Sequence, residues 1–250
     1  MKLLFFCMSL PRFHCPFPLT AHQRIELPDA IAHHATRVLR LRHGSDIFLF
    51  DGRGGHFPAQ LELENKRAWA TLGERIDLEA ELPVRTVLVQ GIAGANKMDW
   101  IVEKAVEMGV AQLVPVTAKR SVIQLAGERK DKRVQHWRRI AVAASEQSGR
   151  NRLMDVRHPM SLADWLDEKA PELLCVVCDP AAEIPLASAI QDHDGDIALL
   201  VGPEGGWSDE ELSLMMSRGL RPVRFGTRVL RTETAGIALM AAAAAIKGWN

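Results

Sequence analysis

The chain carries no net charge, with 31 Lys and Arg against 31 Asp and Glu, and no apolar run approaching the roughly 18 residues of a membrane span. It has no internal repeat and no low-complexity tract apart from the alanines at 241 to 245. Neither glycine signature for nucleotide phosphates occurs: the absence of GxxxxGK[ST] argues against a P-loop and that of GxGxxG against a Rossmann oxidoreductase. Only one close cysteine pair exists, Cys175 and Cys178 in LLCVVCDP. A zinc site wants a second pair and a redox CxxC wants a helix N-terminus. The flanks here are strand-like, so positions three apart face opposite ways and both thiols read as core residues. Adjacent His33 and His34 are poorly placed as joint ligands on a helix, and no metal site is expected.

Neutrality taken alone speaks against a nucleic-acid partner, because phosphate contacts need a basic footprint. The average conceals segregation. Residues 119 to 152 hold ten Lys/Arg against three acids, whereas 161 to 213 hold one Lys against thirteen acids. Residues 1 to 75 stand at +3 with six of the nine histidines, and 214 to 250 at +5. Such zones are either solvated faces or one RNA-facing surface on a neutral protein. A hydrophobic content of 47% and a charged content of 25% are ordinary for a globular chain, and 250 residues suffice for one large or two smaller cores. The start, MKLLFFCMSL, has one Lys and a short apolar stretch without a small-residue cleavage pattern. Met8 is an alternative start. A cytoplasmic protein is expected.

Along the chain, DAIAHHATRVLRLRHG reads as a helix capped by Asp29, with Ile31, Ala35, Val38 and Leu39 on one face and Gly44 at its end. Arg37, Arg40 and Arg42 are then surface positions. SDIFLFDG, HFPAQLEL and RAWATLG alternate apolar and polar residues in short runs, the signature of antiparallel strands in a small barrel or sheet. LEAELPV is the linker candidate. Beyond it strands alternate with helices: TVLVQGI, MDWIVEKAVEMG, QLVPVT, DKRVQHWRRIAVAASEQ, LLCVVCD, IALLVG, SDEELSLMMSRG, RPVRFG and a final helix. That order predicts a parallel sheet covered on both faces. The final helix, AGIALMAAAAAI, is apolar on every side and must be buried within the domain or against a second chain. Trp137 is expected in the core.

The last fifty residues carry the most information. LLVGPEGGWSDEEL and RFGTRVLRTETAGIALM each place a glycine-bearing loop between an apolar run and a helical one, the order in which strand-end loops build a ligand pocket. GPEGG alone is only a flexible turn. LRTETA, however, sets an arginine, two hydroxyls and a carboxylate at the mouth of an apolar helix, where packing asks for none of them. Together these segments resemble the RsmE family of SPOUT methyltransferases, which methylate N3 of a uridine in 16S ribosomal RNA. KMDWIVEKAVEMGVAQLVPVTAKRS, HWRRIAVAASEQSGR and HHATRVLRLRHGSDIFLFDGRGG are similar to further family blocks in the same order.

The resemblance implies an α/β fold: a SPOUT-type parallel sheet with a C-terminal trefoil knot in residues 85–250, a linker at 77–84, and a PUA-like β-barrel for RNA in residues 1–76, of which 1–10 form an extension. It implies a homodimer acting on 16S rRNA within the small ribosomal subunit or its precursor, with S-adenosyl-L-methionine as cofactor. Gly202, Glu204, Gly205 and Gly206 would form one wall of the cofactor pocket, with Phe225, Leu230, Thr232 and Thr234 facing the adenine and ribose. The family more often has an aliphatic residue where Phe225 stands. Methylating N3 needs charge stabilised on the uracil as its proton leaves. Arg231 is the first choice for that task, since a guanidinium donates two fixed hydrogen bonds; the alternative is a salt bridge to Glu204 or Glu233. Glu233 is the candidate proton acceptor, with capping of the final helix by Thr232 or its neighbours the competing reading. Glu107, Gln147 and Arg150 match family blocks and would line the site from the same or the opposing subunit. RNA would be held at Arg12, Arg37, Arg40, Arg42, Arg129, Lys130, Lys132, Arg133 and Arg150. The rival readings are a SPOUT enzyme acting on another base or a ribose 2′-hydroxyl, and a non-catalytic RNA-binding assembly factor.

Overall fold

Thr86–Gly91 and Ile197–Val201 are buried at every position, as strands must be when helices cover both faces of a sheet. The computed structural model describes residues 10–65, 67–123 and 127–249, so the reading of the first nine residues lies outside the described residues. It divides the chain into two units, Met1–Glu81 with Ser145–Leu153, and Leu82–Ala144 with Met154–Asn250.

The first unit is a five-stranded sheet. Its strands are β1 (Arg12–His14), β2 (Arg24–Glu26), β3 (Asp46–Phe50), β4 (Phe57–Glu64) and β5 (Arg67–Leu72), in the order β1-β3-β4-β5-β2. The three expected strands pair antiparallel, β3 with β4 and β4 with β5. The three-residue strands β1 and β2 close the two edges, β1 parallel to β3; neither is long enough to show an alternating pattern. Phe13, Ile25, Ile47, Leu49, Phe57, Leu61 and Ala70 make the core. The helix before β3 differs from expectation. It is α1 (Asp29–His33) followed by a π-helical turn His34–Val38, and its N-cap is Pro28, with Asp29 in the first turn. The wider π turn rotates the end of the helix, so Ile31 and Ala35 are buried while Val38 and Leu39 are exposed. Arg40 then leaves the helix at φ 55°.

Ser145–Leu153 belongs to this unit through polar contacts. Glu146 accepts the His14 N–H at 2.9 Å, Asn151 accepts from Arg12, and the Arg150 guanidinium meets Glu81 through two bonds at 3.0 and 2.6 Å. Chain order could not reveal that grouping. His56 is 1% exposed, lies edge-on to Phe48 at 4.6 Å, and its Nδ1 meets the Asn151 side-chain amide at 3.3 Å. Its Nε2 has no hydrogen-bond partner among the described residues.

The second unit is an α/β layer structure. Strands β6 (Thr86–Gly91), β7 (Gln112–Thr117), β8 (Asp155–Val156), β9 (Met160–Ser161), β10 (Leu174–Cys178), β11 (Ile197–Val201) and β12 (Arg221–Val223) form a seven-stranded sheet, ordered β12-β10-β11-β6-β7-β8 with β9 on β7. All its pairings are parallel. Alternate side chains serve opposite cores. Leu88, Val176, Ile197, Leu199 and Val201 face one, and Val87, Val89, Val177, Ala198 and Leu200 the other. Cys175 packs with the second core and Cys178 against the first, as their three-residue spacing requires; burial pushes both thiols up to about 11.

The helices are α2 (Ala95–Glu107), α3 (Gly127–Ser148), α4 (Leu162–Glu168), α5 (Leu186–Ile190), α6 (Asp209–Ser217) and α7 (Thr232–Lys247). In α2, Met98, Ile101, Val102, Ala105 and Val106 recur at helical spacing and are buried, and Trp137 of α3 is 1% exposed. The short α4 and α5 and the two-residue strands were not visible in the sequence pattern. Helix α7 buries only the face of Thr232, Ala235, Gly236, Leu239, Met240 and Ala243, while Ala241, Ala245 and Ile246 are exposed.

Burial, and then the charge of Arg12, lower the His56 pKa from 6.5 to about 4. The unfolded chain therefore takes up this proton first, and the stability held above pH 6.5 is lost as the pH falls towards 4. At about 1.4 kcal/mol per unit, the loss is of order 3 kcal/mol. Urea unfolding of wild type and His56→Leu from pH 7 to 4 checks this: the wild-type curve should fall by that much more than the variant's.

Candidate functional site

The chain runs from β6 outward to β7 and β8, then crosses to β10 on the far side of β11. The strand order thus reverses between β6 and β11, and ligands bind beyond the carboxyl ends of strands at such a point. A cavity of about 560 Å³ opens there, within the roughly 300–1,000 Å³ of small-molecule sites. Cys178 ends β10 and Asp179 follows it, Gly202 to Trp207 follow β11, and Phe225 to Thr232 run from β12 into α7. Lys97 of α2 completes the wall.

One hydroxyl joins the two glycine-bearing loops. Thr232 Oγ1 donates to the Gly202 carbonyl at 2.6 Å and accepts from Gln90 Nε2 at 2.9 Å. The same amide donates to the Gly91 carbonyl at 2.9 Å. Gln90 is fully buried. Thr232 thus spends its hydroxyl on the other loop rather than on a helix cap, which corrects the capping reading: the N-cap is Arg231, without a side-chain cap bond. Gly91 is needed here because a Cβ would lie 2.6 Å from the Pro203 nitrogen.

Glu204 ties the GPEGG loop to α2. Its Oε1 accepts the Gly94 N–H at 2.9 Å and pairs with Lys97 Nζ at 3.2 Å. Burial raises this carboxyl's pKa, but the Gly94 and Glu204 N–H groups and the Lys97 ammonium outweigh it, and the net lies below the usual glutamate value. Lys97 also faces Glu233 Oε2 at 3.5 Å. Both acids considered as partners for Arg231 are thus turned to Lys97, and Arg231 is exposed with no side-chain hydrogen bond or ion pair among the described residues. Arg120 fastens the loop from the β7 side, donating to the Trp207 carbonyl at 2.9 Å. A Cβ on Gly205 would meet Arg120 Cβ at 2.8 Å, so glycine there serves packing against residue 120 rather than the cavity. The loop leads into α6 through a Ser208–Glu211 capping box.

Of the residues expected at the pocket, Gly202, Glu204, Gly205, Gly206, Phe225, Leu230, Arg231 and Thr232 line the cavity. Glu233 and Thr234 do not; Glu233 faces Lys97 instead. Glu107, Gln147 and Arg150 are also absent from the lining. The sequence reading missed Gln90, Lys97 and Arg120. Gln90 was the one amide in the apolar run TVLVQGI, and Lys97 opened the KMDW block.

Phe225 to Leu230 make no backbone hydrogen bond among the described residues. Their N–H and C=O groups border the cavity unspent. Such donors and acceptors beside apolar Leu230, Phe225 and Ala235 suit a flat, polar-edged ring, with the glycine loop opposite for a flexible tail. This donor set fits an adenosyl group. Among the described residues, no cluster of three His, Cys, Asp or Glu could hold a metal, and no helix is long and apolar enough to cross a membrane.

The basic residues divide. Arg37, Arg40, Arg42 and Arg129 are exposed. Lys132 pairs with Glu128 at 3.4 Å and Arg133 with Asp99 at 3.7 Å, and Lys130 is half-buried. Arg12 and Arg150 depart from the expectation of phosphate-facing groups. Arg12 lies over the Phe48 and Phe50 rings at 5.7 and 5.5 Å, and Arg150 is 2% exposed beside Glu81; both guanidiniums are spent inside their own unit.

A family model described as RNA methyltransferase domain matches residues 80–244, and one described as RNA methyltransferase PUA domain matches residues 27–71. The ribosomal RNA small subunit methyltransferase E of Synechocystis is 31% identical over 84% of this chain and 69% of its own length. The chain belongs to the small subunit ribosomal RNA methyltransferase E family. The family's enzyme from Neisseria gonorrhoeae, solved bound to S-adenosyl methionine, is 35% identical with a TM-score of 0.89, over 95% of this chain and 98% of that one. A methyltransferase from Legionella pneumophila, solved with SAM, is 30% identical with a TM-score of 0.87, over 95% and 98%.

Replacing Thr232 by Val removes the shared hydroxyl while keeping its shape. The Gly202 carbonyl and the Gln90 amide then lose a partner in a buried setting, at a cost of about 1–3 kcal/mol. Chemical denaturation should show that loss, and Thr232→Ser should recover most of it.

Proposed function

We propose that this protein transfers the methyl group of S-adenosylmethionine to N3 of a uridine in 16S ribosomal RNA of the small subunit or its precursor. The observation that carries the reading is the Thr232–Gly202 bond, which brings the glycine loop, the unspent backbone of Phe225 to Leu230 and the unpaired Arg231 onto one cavity. Family membership supports it, since the Neisseria and Legionella proteins were solved with this cofactor. When bound, the cofactor supplies an electrophilic methyl on a sulfonium.

This chain's residues do the rest. Gly202 to Gly206 hold the cofactor's tail, and the backbone of Phe225 to Leu230 holds its adenosine. Arg231 donates to a uracil oxygen and stabilises the charge that develops there as N3 loses its proton. Glu233 is the proposed acceptor of that proton, reached by a change of its rotamer, since its Oε2 is buried 3.5 Å from the Lys97 ammonium and outside the cavity lining. An N3 edge covered by base pairing cannot be methylated, so the uridine must be unpaired or flipped. The first unit with Arg37, Arg40 and Arg42, and the α3 face of Arg129, Lys130, Lys132 and Arg133, hold the surrounding RNA by phosphate contact. A knot formed as the residues after β12 pass the GPEGG loop is part of the same proposal.

Arg231→Ala should bind S-adenosylmethionine with wild-type affinity in equilibrium titration but methylate in a single turnover about a hundredfold more slowly, the scale for loss of a preorganised charge stabiliser. An unchanged rate would make this arginine structural. Mass-spectrometric mapping of 16S RNA from cells with and without the protein tests the position: one N3-methyluridine should disappear, and loss of a 2′-O-methyl or another base mark would replace the reading.

A homodimer through α7 completes the proposal, supported by its exposed apolar face at Ala241, Ala245 and Ile246. Light scattering at micromolar concentration should give twice the chain mass of 27.7 kDa, and Ala241→Glu with Ala245→Glu should return it to the single-chain value.

A further inference from the structure

Arg228 shares the cavity wall with Arg231, and both are exposed. Among the described residues neither guanidinium makes a hydrogen bond, and no acid pairs with either of them. Glu204 and Glu233 face Lys97 at 3.2 and 3.5 Å, and Asp179 accepts the Ala181 N–H at 2.9 Å. One wall of the cavity is therefore a positive rim, although the chain has no net charge. Between the two arginines Val229 is 78% exposed, the highest value among the large apolar side chains described.

The methyl donor of the proposed reaction is a net cation, and its one carboxylate sits on the tail assigned above to Gly202 to Gly206. The rim therefore suits the other ligand, a polyanion. Resting on the reading above, we propose that Arg228 is an RNA-contact residue: its guanidinium pairs with a phosphate next to the target nucleoside, while Val229 packs on the flanking base. A second copy of this chain is a poorer occupant, because it would bring the same charges to the rim.

The experiment uses the full chain and 16S ribosomal RNA extracted from cells lacking the protein. RNA affinity is measured over a range of salt for wild type, Arg228→Ala, Arg228→Lys and the control Arg157→Ala, whose side chain pairs with Glu168 at 3.0 Å. Circular dichroism confirms folding. For Arg228→Ala the slope of log affinity against log salt should shrink by about one, and affinity should weaken about tenfold near physiological salt. Its S-adenosylmethionine affinity and light-scattering mass should stay at wild-type values. Arg228→Lys should keep the slope, because a point charge suffices for a phosphate. A slope unchanged in Arg228→Ala overturns the proposal, as does a loss of cofactor affinity or of dimer mass. Failure of the underlying reading is seen separately, as wild-type protein that methylates no ribosomal RNA.

Discussion

Thr232 stands 142 residues from Gln90 and 30 from Gly202, and its hydroxyl is the point at which three parts of the second unit meet. It is donor to one and acceptor from the other, so neither bond can be replaced by a shift of its neighbour. The buried amide of Gln90 needs these partners, since an unmade bond in the core costs more than a made one contributes. The start of α7 is therefore held against the end of β11. The cavity exists because of this restraint: the loop before α7 has no backbone bonds of its own, and its two ends are fixed by β12 and Thr232.

Charge is arranged around that frame with the same economy. Lys97 faces Glu204 and Glu233, Glu204 anchors the glycine loop to the N-terminus of α2 through Gly94, and among the described residues the arginines of the rim have no partner. In an exposed setting an unpaired guanidinium costs little because water solvates it. At the mouth of a cavity the same group is available to a ligand. The arrangement separates the groups that hold the pocket together from those free to act on a molecule that enters it.

In the first unit the buried polar groups serve cohesion. Arg12, His56, Glu146, Arg150 and Asn151 are all wholly or partly withdrawn from water. Buried charges of this kind are retained when paired, and here the pairing joins Ser145–Leu153 to the sheet. Two arginines expected as RNA contacts from the family resemblance are spent in this way. Charge counted along a chain cannot tell a guanidinium facing phosphate from one facing Glu81.

Strands β6, β7, β10 and β11 were legible because they are buried on both faces and so are nearly continuously apolar. The pocket-forming loops were legible because polar residues stood where packing needed none. The positions of individual side chains were not. Gln90, Lys97 and Arg120 act through partners 87 to 142 residues away, and local pattern carries no information about such distances. The rotation of Val38 and Leu39 into solvent depended on a π turn, which leaves no periodic mark in five residues. By itself the sequence determined the layer architecture and the two loops that meet, since both follow from where apolar residues can be buried. Only the tertiary structure decided which acids Lys97 takes and which arginines remain free, because pairing between charges depends on distance in space rather than order along the chain.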